Sequence, residues 1–391
     1  MFLICSVLLL LSIAVVSPVS AELGATANFT CNPESGSAPL TVHFTDQSIN
    51  ATSWDWDFQD APTSSDQNTT HIFAEPGDYH VTLTVNHGVS NYTKIISVIA
   101  PVPLYSGGDG TVDDPYQITT SNDLINLSTD FTNWGQYFIL TDDISLSAES
   151  SDTIGDDTTM FTGTFDGNKK TIRNFTMNAP DSYCIGLFGF LGQDGEIKDL
   201  TVETGVDGVR GNSSVGILVG MCSEGSIITN CSATGIAIAD YYAGGLIGMN
   251  VGLVTNCSAM SNVTVTNDYA GGLIGMNVDI VTNSFATGVV TAKNKAGGLI
   301  GGNAEGIVTN CFATGAVTAT NEYAGGLVGR NNEGTITDCS ATGNAIAKNN
   351  AGGLVGHNDG EGTVMNCFAT GSATATGDSM EDQDGSAGGL V

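Results

Sequence analysis

From Cys184 to Val391 apolar and polar positions alternate over runs of four to six residues, and the same runs return along the chain. The clearest is Ala-Gly-Gly-Leu-(Ile/Val)-Gly, beginning at Ala243, Ala270, Ala296, Ala324, Ala351 and Ala387, at intervals of 27, 26, 28, 27 and 36 residues. A near-constant period of this size marks a stacked repeat, in which each unit buries its apolar face only against its neighbours. In the unit from Ala296 to Tyr323 three runs stand out: Ala-Gly-Gly-Leu-Ile-Gly-Gly-Asn, Gly-Ile-Val-Thr-Asn-Cys-Phe-Ala-Thr-Gly and Ala-Val-Thr-Ala-Thr-Asn-Glu-Tyr. Each is rich in small or β-branched residues and bounded by Gly or Asn, the pattern of short strands between turns. The spacing therefore predicts three strands per coil and a parallel β-solenoid rising by about 4.8 Å per coil.

Two asparagine columns follow from that register. Asn250, Asn277, Asn303, Asn331 and Asn358 form one; Asn230, Asn256, Asn283, Asn310, Asp338 and Asn366 form the other. Asn tolerates the left-handed turn conformation, and identical amides one coil apart can hydrogen-bond up the stack. Asp338 costs little if it faces water. A ligand-binding stripe is the alternative role for these columns. Cys231, Cys257, Ser284, Cys311, Cys339 and Cys367 follow the second column, on the same side as Ala233, Ala259, Ala286, Ala313, Ala341 and Ala369. A disulfide wants β-carbons about 3.8 Å apart, closer than the coil spacing of about 4.8 Å, so the spacing predicts a buried thiol stack. Zinc ligation would need ligands converging from several directions, and no Cys-x-x-Cys occurs.

Gly-Gly-Leu-Val-Gly followed by Asn, then Ile-x-Asn-Cys-(Phe/Ser)-Ala-Thr-Gly, resembles the GLUG repeat of bacterial and archaeal surface proteins, including non-catalytic parts of some IgA-specific metallopeptidases. The resemblance runs from about Cys184 to the last residue and implies a β-solenoid on a secreted or surface protein. It implies no chemistry, because one scaffold carries many functions.

Upstream, residues 22–100 read as a small β-sandwich. Leu40–Phe44 and Tyr79–Val85 alternate with period two, and Trp54-Asp55-Trp56-Asp57-Phe58 places its aromatics on one face, where they would fill the space between two sheets. Ala38-Pro39-Leu40-Thr41-Val42, the Trp54–Phe58 strand and His71–Tyr79 resemble three motifs of the PKD domain, an immunoglobulin-like sandwich. That resemblance implies an extracellular spacer or a protein/carbohydrate contact module. Gln59-Asp60-Ala61 stands where the family usually has Gly-Asp-Gly, so the turn there is expected to be reshaped. Asp55, Asp57 and Asp60 read as a polar strand face or as oxygen donors for calcium. His43, His71, His80 and His87 read as surface or edge residues.

Residues 101–115 form a linker and 116–183 the cap and first coils. Ser121 can cap a helix whose Leu124, Leu127 and Phe131 share a face, placed to cover the open sheet edge at the start of the solenoid. Tyr137–Leu140, Phe161–Gly167, Ile172–Phe175 and Gly186–Gly189 predict larger-cored first coils, and one solenoid is expected from about Tyr116 to Val391.

Charge narrows the partners. The 391 residues carry 10 Lys plus Arg against 41 Asp plus Glu, a formal charge of −31, which repels nucleic acid and anionic lipid. Residues 1–21 read as an export signal, with an apolar run from Phe2 to Val16 and Val19-Ser20-Ala21 as a cleavage site, although no Lys or Arg precedes the run. A membrane anchor is the alternative, and no later segment is long and apolar enough to span a bilayer. Asn-x-Ser/Thr acceptors at Asn28, Asn50, Asn68, Asn91, Asn126, Asn174, Asn212, Asn230, Asn256 and Asn262 agree with export.

For function, no His-Glu-x-x-His, Gly-x-Ser-x-Gly or Walker motif occurs, and the few basic residues of the repeats do not pair with recurring acids. The sequence thus predicts an all-β, non-catalytic secreted or cell-surface protein, an adhesin-like or envelope rod touching surface or matrix proteins or glycans. The alternative is the scaffold portion of a larger secreted hydrolase. Tyr242, Tyr269 and Tyr323 share one repeat position, with Lys295 and Asn350 between, and read either as a broken aromatic binding stripe or as a shield for the coil edge. Asp378, Glu381, Asp382 and Asp384, in the expansion before the last repeat, read as a solvated insertion or as a calcium site; no other cofactor is expected. The last residues stop inside the repeat phrase, so the polypeptide is expected to continue. Together the two resemblances and the acidic charge are most similar to surface proteins of methanogenic archaea.

Overall fold

The computed structural model describes residues 24–60, 62–147, 152–377 and 386–390. The export segment and the acidic 378–384 loop lie outside the described residues. Two compact units divide between Val102 and Pro103.

In the first unit, β1 (Phe29–Asn32), β3 (Leu40–Asp46) and β5 (Thr69–Phe73) form one sheet. Its partner sheet runs β2 (Ser35–Ser37), β7 (Ser90–Ile99), β6 (Gly77–Val85), β4 (Trp54–Asp57). Alternation aims Phe29, Phe44, Trp56, Phe58 and Phe73 between the sheets, where all are buried. Phe29 meets Trp56 edge-on at 5.0 Å, and the indole N–H, which burial would otherwise strand, donates to the Asp66 carbonyl at 2.8 Å. His71 departs from the expected surface position. It stacks on Phe58 at 4.1 Å and bonds Asp60 at 2.7 Å, so it is buried at 9% exposure. The reshaped turn supplies the reason: Gln59 takes a left-handed φ of 70° and accepts from the His80 N–H, and Asp60 is left beside the imidazole.

The second unit is a parallel solenoid whose ladders run continuously from Tyr116–Ile118 to Ser386–Gly388. The later repeats carry five short strands, where the runs suggested three, and the repeat from Tyr242 carries four because Ser258–Val265 is continuous. In one coil the five are Lys295–Gly297, Ile300–Ala304, Ile307–Thr309, Phe312–Ala313 and Val317–Ala319. The first run breaks at Gly298-Leu299, where a Cβ on Gly298 would overlap the Gly326 carbonyl of the next coil. The second breaks at Asn310, whose φ is 54°. The Ile300–Ala304 strand and its equivalents form a seven-stranded sheet of their own; the remaining strands wrap the other sides.

The core tapers. Phe138, Phe161, Phe165, Phe175 and Phe188 fill the first coils, as expected, and Ala, Val, Leu and Cys fill the later ones. Ala233, Ala259, Ala286, Ala313 and Ala341 stack in register and are fully buried.

The helix α1 spans Ser121–Thr129, but its cap is Thr120, one residue before the expected Ser121. Thr120 and Asp123 form a reciprocal capping box. Leu124 and Leu127 enter the core, whereas Phe131, beyond the helix end at Asp130, is exposed. Trp134 takes its place, donating its indole N–H to the Leu127 carbonyl at 2.8 Å. The free edge of the first strand is covered by the linker: Ser106 N donates to Gln117 O, and Gln117 N to Gly107 O. Among the described residues no helix is long and apolar enough to cross a membrane.

Burial disfavours charge on Asp123, yet hydrogen bonds from Ser106, Thr119 and Thr120 outweigh it and hold its carboxyl below the usual range. A depressed carboxyl stabilises the fold above its unfolded pKa and loses that contribution as pH falls through the folded value. Asp123→Ala should therefore cost about 1–2 kcal/mol at pH 7. Denaturant melts should show the gap between wild type and variant narrowing below about pH 4.

Candidate contact surface

The polar columns that recur in the sequence are largely consumed by the stack. Asn250, Asn277, Asn303, Asn331 and Asn358 lie in register, and the first four are buried. The Nδ2 of each of the first four donates to the Oδ1 one coil on, at 2.9, 2.8, 2.8 and 2.7 Å. All five also donate to a carbonyl of their own turn: Gly252, Asp279, Gly306, Gly334 and Gly362 at 2.8–2.9 Å. The acceptor lies two, two, three, three and four residues ahead, so the amide spans turns of different length with the same bond.

The second column works mainly through its backbone, with exposed amide bonds from Asn256 to Asn230 at 3.2 Å and from Asn310 to Asn283 at 2.6 Å. Asn230, Asn256, Asn283, Asn310, Asp338 and Asn366 all have φ between 52° and 56°. All six are exposed, so the Asp338 carboxylate stays in water.

Cys231, Cys257, Cys311 and Cys339 are buried free thiols, with Cys367 half-buried below them. Each donates to the carbonyl two residues earlier, from 3.0 Å for Cys367 to 3.3 Å for Cys231 and Cys257. The Ser284 hydroxyl makes the same bond at 2.8 Å. Burial pushes the Cys231 thiol up, away from thiolate chemistry.

The tyrosine position does line up: Tyr242, Tyr269, Lys295, Tyr323 and Asn350 are register partners. Tyr242 and Tyr269 stack at 5.4 Å with planes 7° apart. Lys295 Nζ lies 4.8 Å from the Tyr269 centroid and bridges Asp268 at 2.7 Å and Glu322 at 3.1 Å. Burial opposes the Lys295 charge, but those two carboxylates outweigh it and raise its pKa. Tyr323 instead stacks on His357 at 4.5 Å.

Tyr269 leans over Gly302, where a Cβ would strike its ring, and is only 9% exposed. A cavity of about 170 Å³ beside it is lined by Met276, Asn303, Arg330 and Asn332. Tyr269 thus shields the coil, and Tyr242 and Tyr323, both half-buried, retain accessible edges.

Two surfaces were not singled out by the sequence. A groove of about 780 Å³ beside the first coils is lined by Asn174, Thr176, Asn178, Val206, Asp207 and Arg210, among others. The other is an outward column one position beyond the thiols: Ser232, Ser258, Phe285, Phe312, Ser340, Phe368. Phe285 and Phe312 stack at 4.8 Å with planes 3° apart, and Phe312 and Phe368 are 42% and 60% exposed. The signal was the Phe two residues after the asparagine, hidden by its exchange with Ser. Among the described residues no three His, Cys, Asp or Glu side chains converge as metal ligands would.

Comparison with known proteins agrees with this architecture. The PKD domain matches residues 17–99, and the GLUG motif matches 294–318, 320–346 and 348–376. The chain carries a PKD domain followed by GLUG repeats. The chain is 33% identical over 150 residues to Halomucin of Haloquadratum walsbyi, covering 36% of this chain and 2% of that protein. It is 34% identical over 124 residues to a protein of Evansella cellulosilytica provisionally designated a Gly-rich membrane protein, covering 30% of this chain and 14% of the relative. It therefore spans a small part of either relative's length. A Bacteroides ovatus structure provisionally designated an immunoglobulin A1 protease superposes with a TM-score of 0.52 at 21% identity, over 74% of this chain and 86% of that one. At that identity the likeness concerns the fold.

The two asparagine columns should respond differently to substitution. Asn303→Gly leaves the Asn277 amide without its buried acceptor and should cost about 3 kcal/mol or more. Asn310→Gly keeps the positive φ available and should cost less than about 1 kcal/mol. Denaturant melts of the two variants give the comparison; equal losses would contradict the division of roles.

Proposed function

We propose that the chain is a non-catalytic secreted or cell-surface protein whose GLUG solenoid is a rigid contact scaffold for surface or matrix proteins or glycans. The observation that carries the reading is the expenditure of recurring polar groups on stacking. The buried amides bond one another, the thiols bond their own strands' carbonyls, and Lys295 is neutralised between Asp268 and Glu322. Groups so occupied hold the coils in register and are poorly free to act as acids, bases or nucleophiles. The PKD domain upstream, the acceptor tripeptides and the acidic composition support a place outside the cell. The rival reading, the scaffold of a larger hydrolase, draws on the immunoglobulin A1 protease neighbour, a likeness of fold alone.

A binding screen against envelope proteins, matrix proteins and glycans tests the proposal. Wild-type chain should be retained by at least one class. If the tyrosine stripe takes part, Tyr242→Ala and Tyr323→Ala should weaken retention severalfold at unchanged melting temperature, whereas Tyr269→Ala should lower the melting temperature. Retention by nothing would overturn the reading, and peptidase or glycosidase turnover by the purified chain would favour the hydrolase instead.

A further inference from the structure

The outward column of the later coils presents two stacked rings, then a serine, then a third ring. Alternation forces this display: Cys311 and Ala313 point inward, so Phe312 between them points to water. Adjacent strands lie about 4.8 Å apart, which puts Phe368 about 9.6 Å along the stack from Phe312. Ser340 occupies the coil between, and its small side chain leaves a gap one ring thick. A ring entering that gap would sit about 4.8 Å from each phenylalanine, inside the usual stacking range. That is the spacing the protein already uses between Phe285 and Phe312.

The surroundings of the gap select what enters. On one side run Thr309, Asn310, Thr337 and the exposed Met365; on the other, the exposed Thr314, Thr342 and Thr370. From Phe285 to Phe368 Asp338 is the one charged group in these columns, although the chain carries 41 acids. Hydroxyls and amides both donate and accept, which suits a ligand with many hydroxyls and no charge. The backbone groups of these strands are committed to the coils above and below, so a peptide could not extend the sheet here. A pyranose combines apolar C–H faces, which stack on aromatic rings, with a rim of hydroxyls.

A second pattern points the same way. The residue two before each column position belongs to the left-handed asparagine column. Where the column holds Ser in the earlier coils, the tripeptides Asn230-Cys231-Ser232 and Asn256-Cys257-Ser258 are glycan acceptors. Where it holds Phe, as in Asn283-Ser284-Phe285, Asn310-Cys311-Phe312 and Asn366-Cys367-Phe368, the acceptor is lost. At the one later coil that keeps Ser, the asparagine is replaced, giving Asp338-Cys339-Ser340. These coils therefore cannot carry an N-linked glycan at this column, and the gap stays open to a sugar from outside.

We propose that the face from Phe285 to Phe368 binds a neutral glycan, one pyranose lodged over Ser340 between Phe312 and Phe368. The proposal rests on the contact-scaffold reading and names its ligand class. Full chain is run by affinity electrophoresis through gels containing neutral glucan, mannan, galactan or chitosan-free chitin oligosaccharide, with polygalacturonate as the charged comparison. At least one neutral polymer should retard wild type more than polygalacturonate does. Phe312→Ala and Phe368→Ala should each weaken that retardation at least tenfold. Ser340→Phe fills the gap with a ring and should abolish it while the melting temperature stays or rises, which separates loss of the site from loss of fold.

Retardation by no neutral polymer, or retardation that survives Ser340→Phe, overturns the proposal. If the same preparation still captures an envelope or matrix protein, the contact-scaffold reading stands without this site. If it captures nothing, both fall.

Discussion

A parallel solenoid imposes one constraint on all that it contains: a side chain at a given position has its counterpart about 4.8 Å above and below. Whatever is placed inside must tolerate its own company. Alanine and glycine do so by being small, and the thiols by bonding back to their own strands. The amides do it by bonding one another. Asn277, Asn303 and Asn331 are buried, so each polar atom needs a partner. The stack supplies one partner from the neighbouring coil and one from the residue's own turn. In the low dielectric of the interior such a chain of bonds polarises along its length.

The same constraint explains the ends and the exceptions. The first coils are wide enough for Phe138, Phe161 and Phe188; the linker pairs with their free edge, and Leu124, Leu127 and Trp134 join their core. The later coils are narrower: the column of Phe138 and Phe165 continues as Ile197, Ile228 and Val254, and that of Ile172 and Val202 as Ala233. One site of irregular turn length is the stretch after the amide column, where Glu305 and Glu333 adopt positive φ and the amide reaches one carbonyl further. There the amide absorbs the added residue without a shift of the strands.

Much of this was legible in the sequence because stacking turns a spatial rule into a periodic one. The period, the two asparagine columns, the inward Cys and Ala positions and the tapering core could all be read directly. What escaped was finer than the period. The break of three runs into five strands depends on left-handed φ at Asn310 and on close backbone contact at Gly298, neither of which alters the alternation. The helix cap moved to Thr120 because Asp123 sits three residues after it, completing the reciprocal box. His71 looked like an edge residue until a reshaped turn brought Asp60 beside it. The phenylalanine column was obscured by serines, and only the register shows that they share one face.

The four inter-coil bonds of the buried amide ladder all point the same way, from the earlier coil to the later. The ladder is therefore directional, with a donor leading and an acceptor trailing at each step. A coil duplicated or deleted anywhere within the run presents the same acceptor to the coil before it and the same donor to the coil after. Its neighbours need not reorient. Such a lineage can lengthen or shorten its reach by whole units, with no re-engineering of the interior at the joint.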